Sequence, residues 1–338
     1  MDAAPIAQPV PFCCPQCRGA LTVGSHDYRC GRCSRAYPIV LGIPDFRLEP
    51  DPYISFEDEY GKAAILAEAA ERLSFESLVR FYWEITPDVP SVAVERYVGY
   101  ALRAEARGTA YLDALDKRMP PRWAGDMCLE IGCGTGGFLR SAATRFRGVV
   151  GVDIALRWLV IARKRVPDAA ERVALVCASA THLPFADGAF DAVVGLHVLE
   201  HTPTPQAVLA ESARTLVPGK CCFFVTPNRF SLGPEPCVRV WGVGFLPRRI
   251  ASAYVRLVSG RPYRHIRLLS VFELGRSFRR SRFRTWRIDA ARIPDSDLRT
   301  VSPVARALLR VYHRLSELPG VSLGVRMAAP MLEAMGCK

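Results

Sequence analysis

The stretch Leu129-Glu130-Ile131-Gly132-Cys133-Gly134-Thr135-Gly136, with Asp153 ending the next apolar run, constrains this 338-residue chain more than any other feature. Cys128–Ile131 is a short apolar run fit for a buried strand, and Gly137–Phe146 predicts the start of a helix. The glycines between them let backbone approach a ligand and take positive φ. The helix N-terminus then offers free N–H groups to an anionic group. Val149-Val150-Gly151-Val152-Asp153 predicts a second strand, whose terminal acid can accept from both hydroxyls of a ribose. The pattern points to an α/β chain that holds a nucleoside-bearing ligand.

The loop alone leaves the ligand open. Gly132, Gly134 and Gly137 also satisfy the G-x-G-x-x-G pattern of dinucleotide enzymes, with the acid about 20 residues further on. The segments that follow are more specific. Ala178-Ser179-Ala180 precedes Leu183-Pro184-Phe185, followed by Phe190-Asp191-Ala192-Val193-Val194 and Val198-Leu199-Glu200-His201. With Glu130 placed two residues before the first glycine, this series resembles the S-adenosylmethionine (SAM)-dependent methyltransferases of the seven-stranded Rossmann-like type, with a methyltransferase type 11-like domain, over roughly residues 122–228.

The resemblance implies roles. Glu130, Gly132, Cys133, Gly134 and Gly136 would face the methionine end of SAM, Asp153 and Ile154 the ribose side, and Ser179 and Ala180 the adenine. His197, after the fourth strand, would line the methionine side. The family usually has Asp where Ser179 stands; Ser can still accept one hydrogen bond there. If the acceptor is a hydroxyl it needs a base, and His201, in the loop after the fourth strand, is the first choice, with His197 second.

Cys14-Pro15-Gln16-Cys17 and Cys30-Gly31-Arg32-Cys33 form two C-x-x-C knuckles separated by 12 residues. Four thiolates at that spacing can close a tetrahedral Zn²⁺ site that leaves no position for water, so a structural rather than catalytic role is expected. The segment is too short for an apolar core of its own, and metal binding would supply its folding free energy. With Tyr37–Arg47 it resembles the small zinc-ribbon module found beside or fused to bacterial methyltransferases, a rough cousin of the ribbon in a 23S rRNA guanine methyltransferase. The other cysteines, Cys221, Cys222 and Cys337 among them, mostly read as small core residues.

The expected organisation is a zinc ribbon at 10–48, a helical lid or linker at 50–120, and a methyltransferase domain at 121–338. Helices are predicted over Glu57–Leu73 and Ser74–Trp83, then Val92–Leu115 with a break near Gly108. Pro87 ends the first pair, and Pro120-Pro121 marks the entry to the core. Tyr53, Tyr60, Phe81, Tyr82 and Trp83 would either line the lid or pack helix to core. In the core, Arg248–Val258 is expected as a helix, Ser270–Glu273 as a capping box, Arg284–Asp289 as the sixth strand, and Met331–Cys337 as a last strand running antiparallel between the fifth and the sixth.

Charge is uneven. The formal net charge is +12, yet residues 1–228 sum to −2 while residues 229–314 sum to +14. A basic insertion at about 229–283 therefore follows the fifth strand. It reads as a solvated face, as a contact for an anionic small-molecule or lipid-linked acceptor and a membrane surface, or as an RNA contact, with anionic lipid or glycan ranked above RNA. The N-terminus lacks a basic and apolar leader pattern, and no apolar run approaches the length of a membrane span, so a cytoplasmic location with membrane association at the inner face is expected. The expected function is methyl transfer from SAM to a small-molecule, glycan or lipid-linked acceptor. An rRNA or tRNA base methyltransferase and a catalytically inactive SAM-binding scaffold are the rivals.

Overall fold

The computed structural model describes residues 10–86, 89, 91–118, 123, 125–292, 303–317 and 322–338. Pro87 and Pro120-Pro121, expected as helix stop and core entry, lie outside them. The chain forms two compact units, one running through Val193 and taking up Thr215–Val217, the other comprising Val194–Arg214 and Pro218–Lys338.

The first unit opens with a four-stranded antiparallel sheet of β1 (Leu21–Val23), β2 (Asp27–Cys30), β3 (Ala36–Val40) and β4 (Ile43–Pro44), in that order. Metal-free packing here is small and aromatic: Phe12 meets Phe46 edge-on at 4.9 Å and Tyr28 at 5.5 Å, around fully buried Ile43 and Tyr37. Helices α1 (Phe56–Arg72) and α2 (Phe75–Glu84) follow, each N-capped by a serine, Ser55 and Ser74, whose hydroxyl accepts from an N–H three residues on. Next come α3 (Ser91–Leu102) and α4 (Ala104–Arg118).

The break in that second helical pair falls at Arg103, not near Gly108 as the sequence suggested. Gly108 sits inside α4, where a Cβ would lie 2.8 Å from the backbone of Gly137 and Phe138. Its glycine serves close helix packing, a role that local breaker rules do not anticipate.

The larger sheet is built from β5 (Met127–Ile131), β6 (Gly148–Asp153), β7 (Val173–Cys177), β8 (Phe190–Leu196), β9 (Leu216–Pro227), β10 (Thr285–Ala290) and β11 (Met331–Cys337). Its order is β10-β11-β9-β8-β5-β6-β7. β5, β6 and β7 pair in parallel, whereas β11 runs antiparallel to both β9 and β10. This is the α/β seven-stranded sheet with the inserted antiparallel last strand that was expected. Short helices α5 (Gly137–Ala142) and α6 (Leu156–Arg165) make the crossovers from β5 to β6 and from β6 to β7, and β5 to β7 are nearly continuous apolar runs, as buried parallel strands require.

The second unit contributes α7 (Pro205–Thr215), α8 (Arg248–Ser259), α9 (Val271–Arg279), α10 (Pro303–Glu317) and α11 (Ser322–Ala328). Ser270 and Glu273 form the predicted reciprocal capping box at the head of α9. Cys221 and Cys337 face each other across β9 and β11 and form a disulfide, with Cα atoms 4.0 Å apart. That corrects the reading of both as isolated core thiols. The strand register that joins them lies 116 residues apart in sequence and leaves no local signal.

Candidate functional site

The glycine loop between β5 and α5 takes the geometry its residues allow. Gly132, Gly134 and Gly136 have φ of 73°, 49° and 75°, the left-handed region in which a side chain is strained. A Cβ on Gly134 would meet nothing within 4 Å, so its exposed backbone faces open space. Gly136 N-caps α5, and Gly132 and Cys133 both donate to Val152 O at the end of β6, pinning the loop to the neighbouring strand. Arg165 adds a tie that was not foreseen: its Nε donates to Thr135 O at 2.7 Å.

Asp153 stands at the tip of β6. Its Oδ2 accepts from Gly134 N at 2.8 Å and its Oδ1 from Ala155 N at 2.9 Å. Burial still outweighs those donors and pushes its carboxyl up to about 6. Glu130, on β5, is buried, and its Oε2 has no hydrogen-bond partner among the described residues. Burial first, and the Asp153 carboxylate second, hold its pKa well above the ordinary range. An unpartnered buried carboxylate oxygen is costly unless a ligand donor completes it.

On the other side of β6, Ser179 Oγ lies 2.8 Å from Thr181 Oγ1, and Ala178 N donates to Asp153 O. This loop is gripped from both ends by the ribbon. Phe46 N donates to Cys177 O at 2.7 Å and Arg47 Nη1 to Ile154 O at 3.1 Å, so the chain after β4 runs alongside β7. Beyond the loop, Arg18 Nη1 donates to Leu183 O at 2.8 Å and Cys13 N to Pro184 O at 2.9 Å. Arg47 is itself fixed by buried Asp45, which also accepts from Tyr60 Oη. The sequence offered no sign of these clamps, because each pairs a backbone N–H or an ordinary arginine with a backbone carbonyl more than 100 residues away.

The four knuckle cysteines converge. All Sγ atoms of Cys14, Cys17, Cys30 and Cys33 lie within 4.8 Å of one another, the span of a tetrahedral tetrathiolate. The N–H groups of Arg32 and Cys33 point at Cys30 Sγ, and, against the opposing effect of burial, such donors hold that thiol down at about 6. Arg18 and Ser34, each following the second cysteine of its knuckle, share a positive φ of 63° and 57°. The two turns are thus near copies.

Of the lid aromatics, Tyr82 packs 4.2 Å from Trp158 on α6, Trp83 stacks on Tyr97 of α3, and Tyr53 is exposed. Arg157 of α6 is held by Asp51 and by Glu59 of α1, all three buried.

In the second unit, His197 follows β8 with a positive φ of 59°, its N–H bound to Val225 O. Its Nδ1 lies 3.8 Å from Oε1 of Glu200, a buried acid that accepts from Thr226 Oγ1 at 3.0 Å. Burial raises the Glu200 carboxyl to about 8, with Glu235 adding to the rise. His201 is exposed at the end of a short turn. Glu200 stood inside a recognised motif, but its pairing with His197 depends on the turn that brings it back.

Comparison with known proteins finds similarity over the core segment. Residues 129–224 match the Methyltransferase domain family. The segment is similar to the ubiquinone biosynthesis O-methyltransferase of Chromobacterium violaceum, 34% identical over 110 residues, or 31% of this chain and 46% of that protein. It is also similar to the demethylmenaquinone methyltransferase of Tropheryma whipplei, 34% identical over 144 residues, or 41% and 55%. The chain thus spans about half the length of the curated relatives it matches. Among solved structures, phosphoethanolamine N-methyltransferase 2 of Haemonchus contortus with SAM aligns at a TM-score of 0.49 and 19% identity, over 79% of this chain and 60% of that one.

Proposed function

We propose that the chain transfers a methyl group from S-adenosylmethionine to a small-molecule, glycan or lipid-linked acceptor, with oxygen methylation favoured. The observation that carries the reading is Glu130 Oε2, buried, unpartnered and two residues before the glycine loop of a methyltransferase domain. A cofactor that ends in an ammonium group would satisfy that oxygen. Glu130, Gly132, Cys133, Gly134 and Gly136 would hold its methionine end, Asp153 and Ile154 its ribose side, Ser179 and Ala180 its adenine, and His197 would line the methionine side.

Bound SAM supplies a methyl group on a sulfonium, an electrophile with a good leaving group. The protein's task is then alignment: rigid glycine backbone and the ties from Val152 O and Arg165 fix the loop, so much of the acceleration comes from proximity. A hydroxyl acceptor must also lose its proton. His197, whose Nδ1 lies 3.8 Å from Glu200 Oε1, is the candidate base, and exposed His201 is the alternative. The name of the Chromobacterium violaceum relative, an O-methyltransferase of ubiquinone biosynthesis, favours a hydroxyl on a quinone-type acceptor. The cysteine cluster would hold a structural Zn²⁺: four thiolates within 4.8 Å match its donor set and leave no open position.

The test is label transfer from isotopically labelled SAM, offered separately with a demethylated quinol, a polar lipid extract and bulk RNA. Label in the quinol or lipid fraction, falling about 10²- to 10⁴-fold in His197→Gln, is the expected result. Label in RNA overturns the acceptor class and favours a base methyltransferase. Label in none of them, with SAM bound, favours an inactive SAM-binding scaffold.

A further inference from the structure

The segment between β9 and α9 folds around a small apolar centre of its own. Val238, Val240, Val243, Ala251, Val255 and Tyr263 are buried together there, with Tyr254 and Ile266 packed against them. Ala251 and Val255, one turn apart, are the face by which α8 joins this cluster. The helix also carries apolar residues that stay exposed among the described residues. Leu257 is 86% exposed, Val258 57% and Ile250 47%, and Ile250 and Leu257 lie two turns apart on one line of the helix. Tyr254 lies between them and its Oη donates to Trp241 O at 2.9 Å, which brings the preceding loop to the same side. That loop exposes Trp241 to 63% and Phe245 to 54%.

Charge borders the strip. Residues 236–272 contain seven arginines, no lysine and no acid. Arg249 and Arg256, two turns apart, flank the Ile250–Leu257 line, and neither has an ion-pair partner among the described residues. Guanidinium groups bind phosphate oxygens bidentately. A helix lying flat in a bilayer interface carries the same arrangement, with aliphatic and aromatic side chains among acyl chains and arginines at the headgroup phosphates.

We infer that α8 and the Trp241–Phe245 loop form a docking surface for an anionic phospholipid bilayer. Trp241 and Phe245 could stack on a nucleic-acid base, but the longer part of the strip, aliphatic Leu257, Val258 and Ile250, could not, so acyl chains suit it better than RNA. A second copy of the chain would set one acid-free arginine face against another, a like-charge contact. The phosphate-rich, apolar-centred bilayer matches both halves of the surface. This assignment is independent of the cofactor reading, because its readout is vesicle binding rather than methyl transfer.

The experiment floats the full-length protein through a density gradient with vesicles of phosphatidylcholine, alone or mixed with phosphatidylglycerol. The protein is expected to rise with the anionic vesicles only and to be released by high salt. The exposed-site variants Ile250→Glu/Leu257→Glu and Arg249→Gln/Arg256→Gln, each melting as wild type does, are each expected to lose at least about tenfold of the bound fraction. Undiminished flotation of the first variant, or no flotation of wild type, overturns the surface. Loss in the arginine variant alone reduces the contact to charge and overturns insertion of the strip. A concentration-dependent dimer dispersed by Leu257→Glu would assign the strip to a second copy, and retention of RNA in place of vesicles would assign the arginines to nucleic acid; either result also overturns the inference.

Discussion

Glu130 and Glu200 are buried acids and Asp153 a half-buried one; all three pKa values rise, and desolvation is the leading cause in each. Glu200 gives the clearest consequence for stability. Between the ordinary value of 4.5 and about 8, the folded chain keeps a proton on Glu200 that the unfolded chain has released. The folded state binds more protons in that window, so stability falls as pH rises through it. Glu200→Gln cannot ionise and keeps an acceptor for Thr226. It is expected to melt close to wild type near about pH 5 and above wild type beyond about pH 8. Melting curves that stay parallel at both ends would show that Glu200 is ionised in the folded chain. At this scale the glycines were legible because left-handed φ restricts residue choice so strongly. The Glu200–His197 approach was not, since it depends on the positive φ of His197, which leaves no trace in residue type.

At the scale of elements, β5, β6 and the capping box at α9 were readable from local pattern, and their observed ends fall within a residue or two of those expected. The ribbon's fold was readable from its knuckles, but its attachment was not. Its clamps use Arg18, Cys13 and Phe46 on the carbonyls at the two ends of the Ser179 loop and Arg47 on Ile154 O after β6, and a carbonyl has no sequence identity. Those clamps predict that metal state and cofactor affinity are linked. Removing the metal with a chelator, or replacing Arg18 by Ala, frees one side of the loop that would hold the adenine. Calorimetric SAM titration should show a three- to thirtyfold weaker Kd in either case, about 1–2 kcal/mol for the hydrogen bonds concerned. Unchanged affinity in the metal-free protein and in Arg18→Ala would reduce the ribbon to a passive cover on β7.

The whole molecule combines a thiol-rich ribbon, an α/β sheet of methyltransferase type and a basic C-terminal unit. Sheet order and the antiparallel last strand followed from the family resemblance. The Cys221–Cys337 disulfide did not, because the strands it joins become neighbours only when the long segment between them has folded. Charge was legible as a total, yet only the structure separates Leu257 and Trp241 on the surface from Val255 and Val243 beneath it. Among the described residues no helix is long and apolar enough to cross a membrane. The functional reading rests on the glycine loop serving SAM. The decisive measurement is calorimetric titration of the metal-replete, full-length protein with SAM and with NADH, alongside Asp153→Ala and Asp153→Asn. The account predicts SAM binding in the micromolar range, weakened at least about tenfold in both variants, and no NADH binding. Failure to bind SAM, or a preference for NADH, would contradict it.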